Sequence, residues 1–114
     1  MSKLIITIAP TGSIPTKKDN PHTPVVPDEI IRTGILCENA GASIIHIHAR
    51  NPVDETASAD FNIFKEIYQG IKKETNLIIQ ISTGGRAGMG YEKRSERLSL
   101  QPEMASLTTG SVNF

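Results

Sequence analysis

An α/β protein with a parallel sheet is predicted by three features of this chain. Short apolar runs recur near residues 3–9, 43–48, 77–82 and 104–107. Helix-period segments separate the first three of them, which is the alternation of βαβ units. The runs are also nearly continuous in apolar character, as in strands covered by helices rather than strands with one wet face.

The first strand is expected at 3–9, since Leu4-Ile5-Ile6-Thr7-Ile8-Ala9 lacks a basic leader and a cleavage site and reads as a strand, not a signal peptide. Five of the seven prolines (Pro10, Pro15, Pro21, Pro24 and Pro27) then give a stiff, non-helical loop. A helix over 28–40 begins near Pro27, directs Ile30, Ile31, Gly34, Ile35 and Cys37 to the sheet, and stops at Gly41. The second strand is 43–48. The next helix, 60–74, places Phe64, Ile67, Tyr68 and Ile71 at i, i+3, i+4 and i+7, with Lys65, Glu66, Lys72 and Lys73 between them. The third strand is 77–82. Four glycines in residues 83–90 exclude a regular element there and allow close backbone approach to a ligand. A charged helix over 91–98 leads to the last strand near 104–107. No internal repeat or low-complexity tract is present. Two architectures fit this order: an open doubly wound sheet, or the first half of a (β/α)8 barrel, which when complete needs roughly 250 residues. The sequence stops at Val112-Asn113-Phe114 with no closing helix, so a truncated polypeptide is expected.

The 114 residues carry twelve acidic and twelve basic side chains and a hydrophobic fraction of 38%, an ordinary globular composition. Zero formal net charge and the lack of a basic run argue against a nucleic-acid or membrane partner. Cys37 is single, so it forms no internal disulfide and is read as a small buried hydrophobe in a cytoplasmic protein.

His46 and His48 are the most informative residues. Two apart on a strand, they lie on one face, with Ile45 and Ile47 on the other. Their spacing of roughly 6.5–7 Å along the strand lets both imidazoles reach one ion. A hydrogen-bonded pair inside a barrel is the competing reading, and the polar segment that follows at once, Arg50-Asn51-Pro52-Val53-Asp54, favours a site. Ligands of α/β folds bind at the carboxyl ends of strands. Thr11, Gly12, His46, His48, Ser82, Gly84, Gly85 and Ser106 gather there, and Gln80 shares the face of Ser82. Arg86 is a candidate anion clamp, whereas His22 is read as a loop residue. Dinucleotide and Walker fingerprints, a nucleophile elbow and a Cys-X-X-Cys pair are absent, so acyl-enzyme chemistry is not supported.

Thr11-Gly12, Pro24, Pro27-Asp28-Glu29-Ile30, Ala40-Gly41-Ala42, His46-Ile47-His48-Ala49-Arg50, Ile81-Ser82-Thr83-Gly84-Gly85, Pro102-Glu103-Met104-Ala105-Ser106-Leu107 and Gly110-Ser111-Val112-Asn113-Phe114 occur in order along the chain. Together they resemble the β-keto acid cleavage enzymes, the family that includes 3-keto-5-aminohexanoate cleavage enzyme. The resemblance implies the amino-terminal half of a (β/α)8 TIM barrel over residues 1–114, with four parallel strands and no second domain. It implies a homo-oligomeric, zinc-dependent acyltransferase that cleaves a β-keto acid with acetyl-CoA to a CoA ester and acetoacetate. Within it His46 and His48 would be metal ligands, and Ser82, Gly85 and Ser106 would line the substrate site.

The family's third ligand, a glutamate, together with an aspartate base and an arginine, comes from the later half of the barrel. None of these falls within the present chain. Ile14 stands where the aminohexanoate-cleaving member has an acidic residue, which favours a substrate with an apolar or neutral tail. Thr108 replaces a common asparagine. Two further readings compete with the cleavage-enzyme reading: a non-catalytic half-barrel remnant or assembly partner, and a metal-dependent hydrolase. The hydrolase ranks last because its His-X-His commonly follows strand one.

Overall fold

The computed structural model describes residues 2–86 and 88–109. The expected motif at 110–114, and with it the question of a closing helix, lies outside the described residues. The chain runs β1 (Thr7–Ile8), α1 (Pro27–Asn39), β2 (Ile44–Ile47), β3 (Ala49–Arg50), β4 (Ala57–Ser58), α2 (Phe61–Glu74), β5 (Ile78–Ile81), α3 (Tyr91–Ser95), a 3-10 turn (Glu96–Leu100) and β6 (Met104–Ala105).

Strands β1, β2, β5 and β6 form one parallel sheet in that order. Each new strand joins the same growing edge, with no reversal of direction across the sheet. The central pairing sets Ile45 beside Ile79, His46 beside Gln80, and Ile47 beside Ile81. Ile45, Ile47, Ile79 and Ile81 face the helices and are fully buried against Ile30, Phe64, Ile67 and Ile71. The other face of the sheet is less covered. Ile78 is exposed there, and so is Met104, the register partner of Gln80.

The helices start and stop for local reasons. Pro27 opens α1, and Glu29 accepts hydrogen bonds from the Val25 and Val26 N–H groups, occupying donors left open at a helix start. Gly41 follows α1 with φ +107°, where a side chain would be strained, and its N–H returns to the Glu38 carbonyl. Asp60 caps α2, accepting from the N–H groups of Asn62 and Ile63. Of the expected inward residues of α1, Ile30 and Gly34 are buried and Ile31, Ile35 and Cys37 are partly buried.

Three boundaries differ from expectation. The first strand is only Thr7–Ile8, because β1 is an edge with a neighbour on one side; Leu4 and Ile5 are exposed. The segment after His48 is not a plain polar loop but a two-stranded antiparallel hairpin of β3 and β4. Strands of two residues are too short for a periodic signal. The helix expected over 91–98 tightens after Ser95 into the 3-10 turn. Among the described residues no helix is long and apolar enough to cross a membrane.

Gly34 sits where α1 meets α2 and the sheet. A β-carbon there would lie 2.7 Å from Ile71 Cδ1 and 3.3 Å from Ile45 Cδ1, and both neighbours are fully buried. Gly34→Val is therefore expected to destabilise the chain by about 1–3 kcal/mol through overpacking. The measurement is the urea midpoint relative to wild type.

Candidate metal and substrate site

Register and parity build the site. With the odd-numbered isoleucines of β2 and β5 turned to the helices, His46 and Gln80 must project from the opposite face. His48, two residues on from His46, projects with it at the strand's carboxyl end. The imidazole Nε2 atoms of His46 and His48 lie 3.1 Å apart, with the rings 71° from coplanar. Two nitrogens at about 2.0–2.1 Å from a tetrahedral ion would be about 3.3–3.4 Å apart, so the pair fits a shared cation. Among the described residues no group of three or more His, Cys, Asp or Glu side chains converges for a metal.

Each ring has an outer partner. His46 Nδ1 lies 2.6 Å from Gln80 Oε1, and His48 Nδ1 lies 3.5 Å from Ser13 Oγ. With Nδ1–H donated to Gln80, His46 presents an Nε2 lone pair, and His48 Nε2–H donates to it. Sharing an ion instead requires the His48 proton to sit on Nδ1, beside the Ser13 hydroxyl. Oriented imidazoles of this kind are usual for metal-ligating histidines.

The histidines open into a cleft of about 440 Å3 whose walls also include Ser82, Gly84, Gly85, Arg86, Ser106 and Thr108, with Ser13 and Ile14 from the loop after β1. Ser82 is buried; its Oγ accepts from Gly84 N–H at 3.2 Å, which leaves the hydroxyl proton uncommitted by that bond. Ser106 Oγ accepts from Thr83 N–H at 3.2 Å, tying β6 to the glycine-rich loop. A β-carbon on Gly85 would come within 2.8 Å of Met89 Sδ and 3.0 Å of the Arg94 side chain, so both side chains would have to shift. His22 is exposed in the proline-rich loop and does not line the cleft.

Among the described residues lining the cleft there is no carboxylate, whereas Arg86 is one of them. Two more guanidinium groups, Arg50 and Arg97, are buried. Arg97 donates to the Ser82 carbonyl at 2.8 Å and stacks over Phe64. Burial first, then His46, Arg97 and Arg50, push the His48 imidazole down to about 4. His48 is thus neutral near pH 7, the state that ligates metals.

Sequence reasoning gathered Thr11, Gly12, His46, His48, Gln80, Ser82, Gly84, Gly85 and Ser106; the structure places His46, His48, Ser82, Gly84, Gly85 and Ser106 on the cleft with Gln80 behind His46, whereas Thr11 and Gly12 do not line it and bond Arg50 instead. It missed Ser13 and the two buried arginines. A usable signal existed for Arg50, which continues the even-numbered alternation of His46 and His48.

The sequence profile of the beta-keto acid cleavage enzymes matches residues 3–114. The chain belongs to the beta-keto acid cleavage enzyme family. Among its relatives, the 3-oxoadipate:acetyl-CoA acetyltransferase of Cupriavidus necator is 48% identical over 111 residues, covering 96% of this chain and 38% of that protein. The 3,5-dioxohexanoate:acetyl-CoA acetone transferase of Paraburkholderia graminis is 42% identical, covering 98% and 36%. The 3-keto-5-aminohexanoate cleavage enzyme of Acetoanaerobium sticklandii is 44% identical, covering 100% and 42%. This beta-keto acid cleavage family chain therefore spans about two fifths of the length of these relatives. A solved structure described as the ternary complex of ObcA with C4-CoA adduct and oxalate superposes with a TM-score of 0.68 at 25% identity, covering 76% of this chain and 23% of that one.

The depressed His48 pKa has a thermodynamic consequence in the metal-free chain. The unfolded state takes up a proton near the ordinary value of 6.5 and the folded state only near 4, so stability is full above pH 6.5 and declines as pH falls toward 4. An NMR titration of the imidazole resonances, run beside urea unfolding across that window, is expected to show both effects.

Proposed function

We propose that this chain is the amino-terminal half of a (β/α)8 barrel, one partial domain over residues 1–114. Its parent would be a cytoplasmic, homo-oligomeric enzyme that uses zinc and acetyl-CoA to cleave a β-keto acid into a CoA ester and acetoacetate. The observation that carries the reading is the 3.1 Å approach of His46 and His48 Nε2 at a strand end, in a chain of this family. Parallel strands added in chain order, with the helical core on one face, support a barrel over a doubly wound sheet.

His46 and His48 would hold the divalent ion, which when bound supplies Lewis-acid polarisation of the β-keto acid oxygens. Gln80 and Ser13 would orient the two imidazoles from behind. The Ser82 and Ser106 hydroxyls would bind the substrate carboxylate or a developing oxyanion, and Gly85 keeps the loop backbone close enough to take part. Arg86 on the cleft wall, with no carboxylate among the described lining residues, suits an anionic substrate. The third metal ligand and the general base are assigned to residues beyond this segment.

A second reading, the non-catalytic half-barrel that serves as an assembly partner, draws on the exposed side chains of the uncovered sheet face, Ile78 and Met104. Elemental analysis, light scattering and acetyl-CoA-dependent acetoacetate formation separate the two. Metal in an assembled, active species supports the enzyme; assembly with neither metal nor turnover supports the partner.

The double variant His46→Ala/His48→Ala is expected to lose stoichiometric zinc while staying folded by circular dichroism; retained zinc would refute the ligand assignment. Ile14, 63% exposed on the cleft wall, would face the substrate tail. Ile14→Glu is expected to raise the ratio of kcat/KM for cationic over neutral β-keto acids by about tenfold, the scale of one added charge pair. An unchanged ratio would remove Ile14 from the tail pocket.

A further inference from the structure

We propose that Arg50 is a positioning residue that shapes the substrate cleft by holding the loop after β1. The clamp is built almost wholly from neutral acceptors. Arg50 is 0% exposed, and its guanidinium donates to the Glu55 carbonyl from Nε at 2.7 Å. Nη1 donates to Thr11 Oγ1 at 3.1 Å and to the Gly12 carbonyl at 2.8 Å, and Nη2 donates to the Pro15 carbonyl at 2.6 Å. One planar fork thus joins the β3–β4 hairpin to both ends of the segment that carries Ser13 and Ile14.

The fork holds the stretch from Thr11 to Pro15, whereas residues 16–23 are tied by Thr16–Asp19 bonds and by Lys17 to Glu55, Thr23 and Glu29. Residues 9–26 contain no helix or strand, and the Gly12 and Pro15 carbonyls need donors that a regular element would otherwise provide. Ser13 and Ile14, between the two clamped carbonyls, line the cleft. Ser13 Oγ is also the atom beside His48 Nδ1. Arg50 itself does not line the cleft, so its influence on a substrate passes through these two residues. Among the described residues no acidic side chain pairs with it: the carboxylate of Glu55 is turned to the Lys17 N–H at 2.7 Å. Only a rigid, multi-donor cation meets four acceptors at once; a lysine ammonium, with three donors at one point, cannot span them.

The specificity part of the inference rests on the reading that the cleft takes a β-keto acid, whereas the loop part does not. The test compares wild type with Arg50→Lys and with Thr11→Val, which keeps the charge and removes one acceptor. Hydrogen–deuterium exchange reports the loop, and steady-state kinetics with β-keto acid and acetyl-CoA, on the full-length protein, reports the cleft. In Arg50→Lys, exchange at residues 11–17 is expected to rise at least about tenfold, the scale of a lost charge-assisted bond, while residues 61–74 keep wild-type rates. KM for the β-keto acid rises by a similar factor, with kcat changed less than about threefold, and Thr11→Val shifts both readouts in the same direction by less.

Equal acceleration in α2 would reduce Arg50 to a general stability role and overturn the proposal. An unchanged loop would do the same, as would a fall in kcat at constant KM. A wild-type protein without turnover would refute the proposed reaction, and the exchange data would still decide whether Arg50 holds the loop. If Arg50→Lys does not fold, Thr11→Val decides: a locally loosened loop sustains the clamp, and wild-type exchange at residues 11–17 rejects it.

Discussion

The two-residue repeat of the β2–β5 pair is the constraint on which the remaining structure depends. Ile45, Ile47, Ile79 and Ile81 are completely buried under α1 and α2, and a slip of one residue would turn them to the opposite face. At about 25 cal/mol for each Å2 of apolar surface removed from water, four isoleucines make such a slip prohibitive. The same constraint leaves His46 and Gln80 no choice of face. Hydrophobic burial on one side of the sheet therefore positions the chemistry on the other, and the imidazoles require no separate device to bring them together.

Ordering at the rim of the site depends on polar groups instead. The loop after β1 is held by Arg50, and a contact between Lys17 and Glu29 ties its far end to the first turn of α1. The loop after β5 is held by Thr83, which donates to Ser106 from both its N–H and its hydroxyl, and by Arg94, which donates to the Thr83 carbonyl. These links cross between segments far apart in the chain, so they stabilise the cleft only once the sheet has formed. Burying Arg50 and Arg97 without a carboxylate partner is costly in isolation. Burial of His48, reinforced by the charges of His46, Arg97 and Arg50, holds its imidazole well below the ordinary pKa.

The major elements were legible because each carries a strong local signal. In α2, Phe64, Ile67 and Ile71 repeat with the helical period, and Asp60 marks its start, so little tertiary information is needed to place it. In β2 and β5, runs of isoleucine mark the strands, although Ile78 stands exposed on the second face. The hairpin of β3 and β4 was not legible, since two-residue strands have no measurable period. The shortness of β1 was hidden for the opposite reason. Its residues are all suited to a strand, but only Thr7 and Ile8 find ladder partners in β2.

Family membership, the parallel α/β class, and the shared face of His46 and His48 were determined by the sequence alone, because residue type and spacing act locally and alternation along a strand is a matter of covalent geometry. Only the tertiary structure decided that the two Nε2 atoms stand 3.1 Å apart, that Gln80 and Ser13 back them, and that Arg50 is an interior clamp rather than a surface charge. The contacts of Gln80 with His46, of Ser13 with His48 and of Arg50 with Thr11, Gly12 and Pro15 join residues more than thirty positions apart, and no local pattern encodes such links.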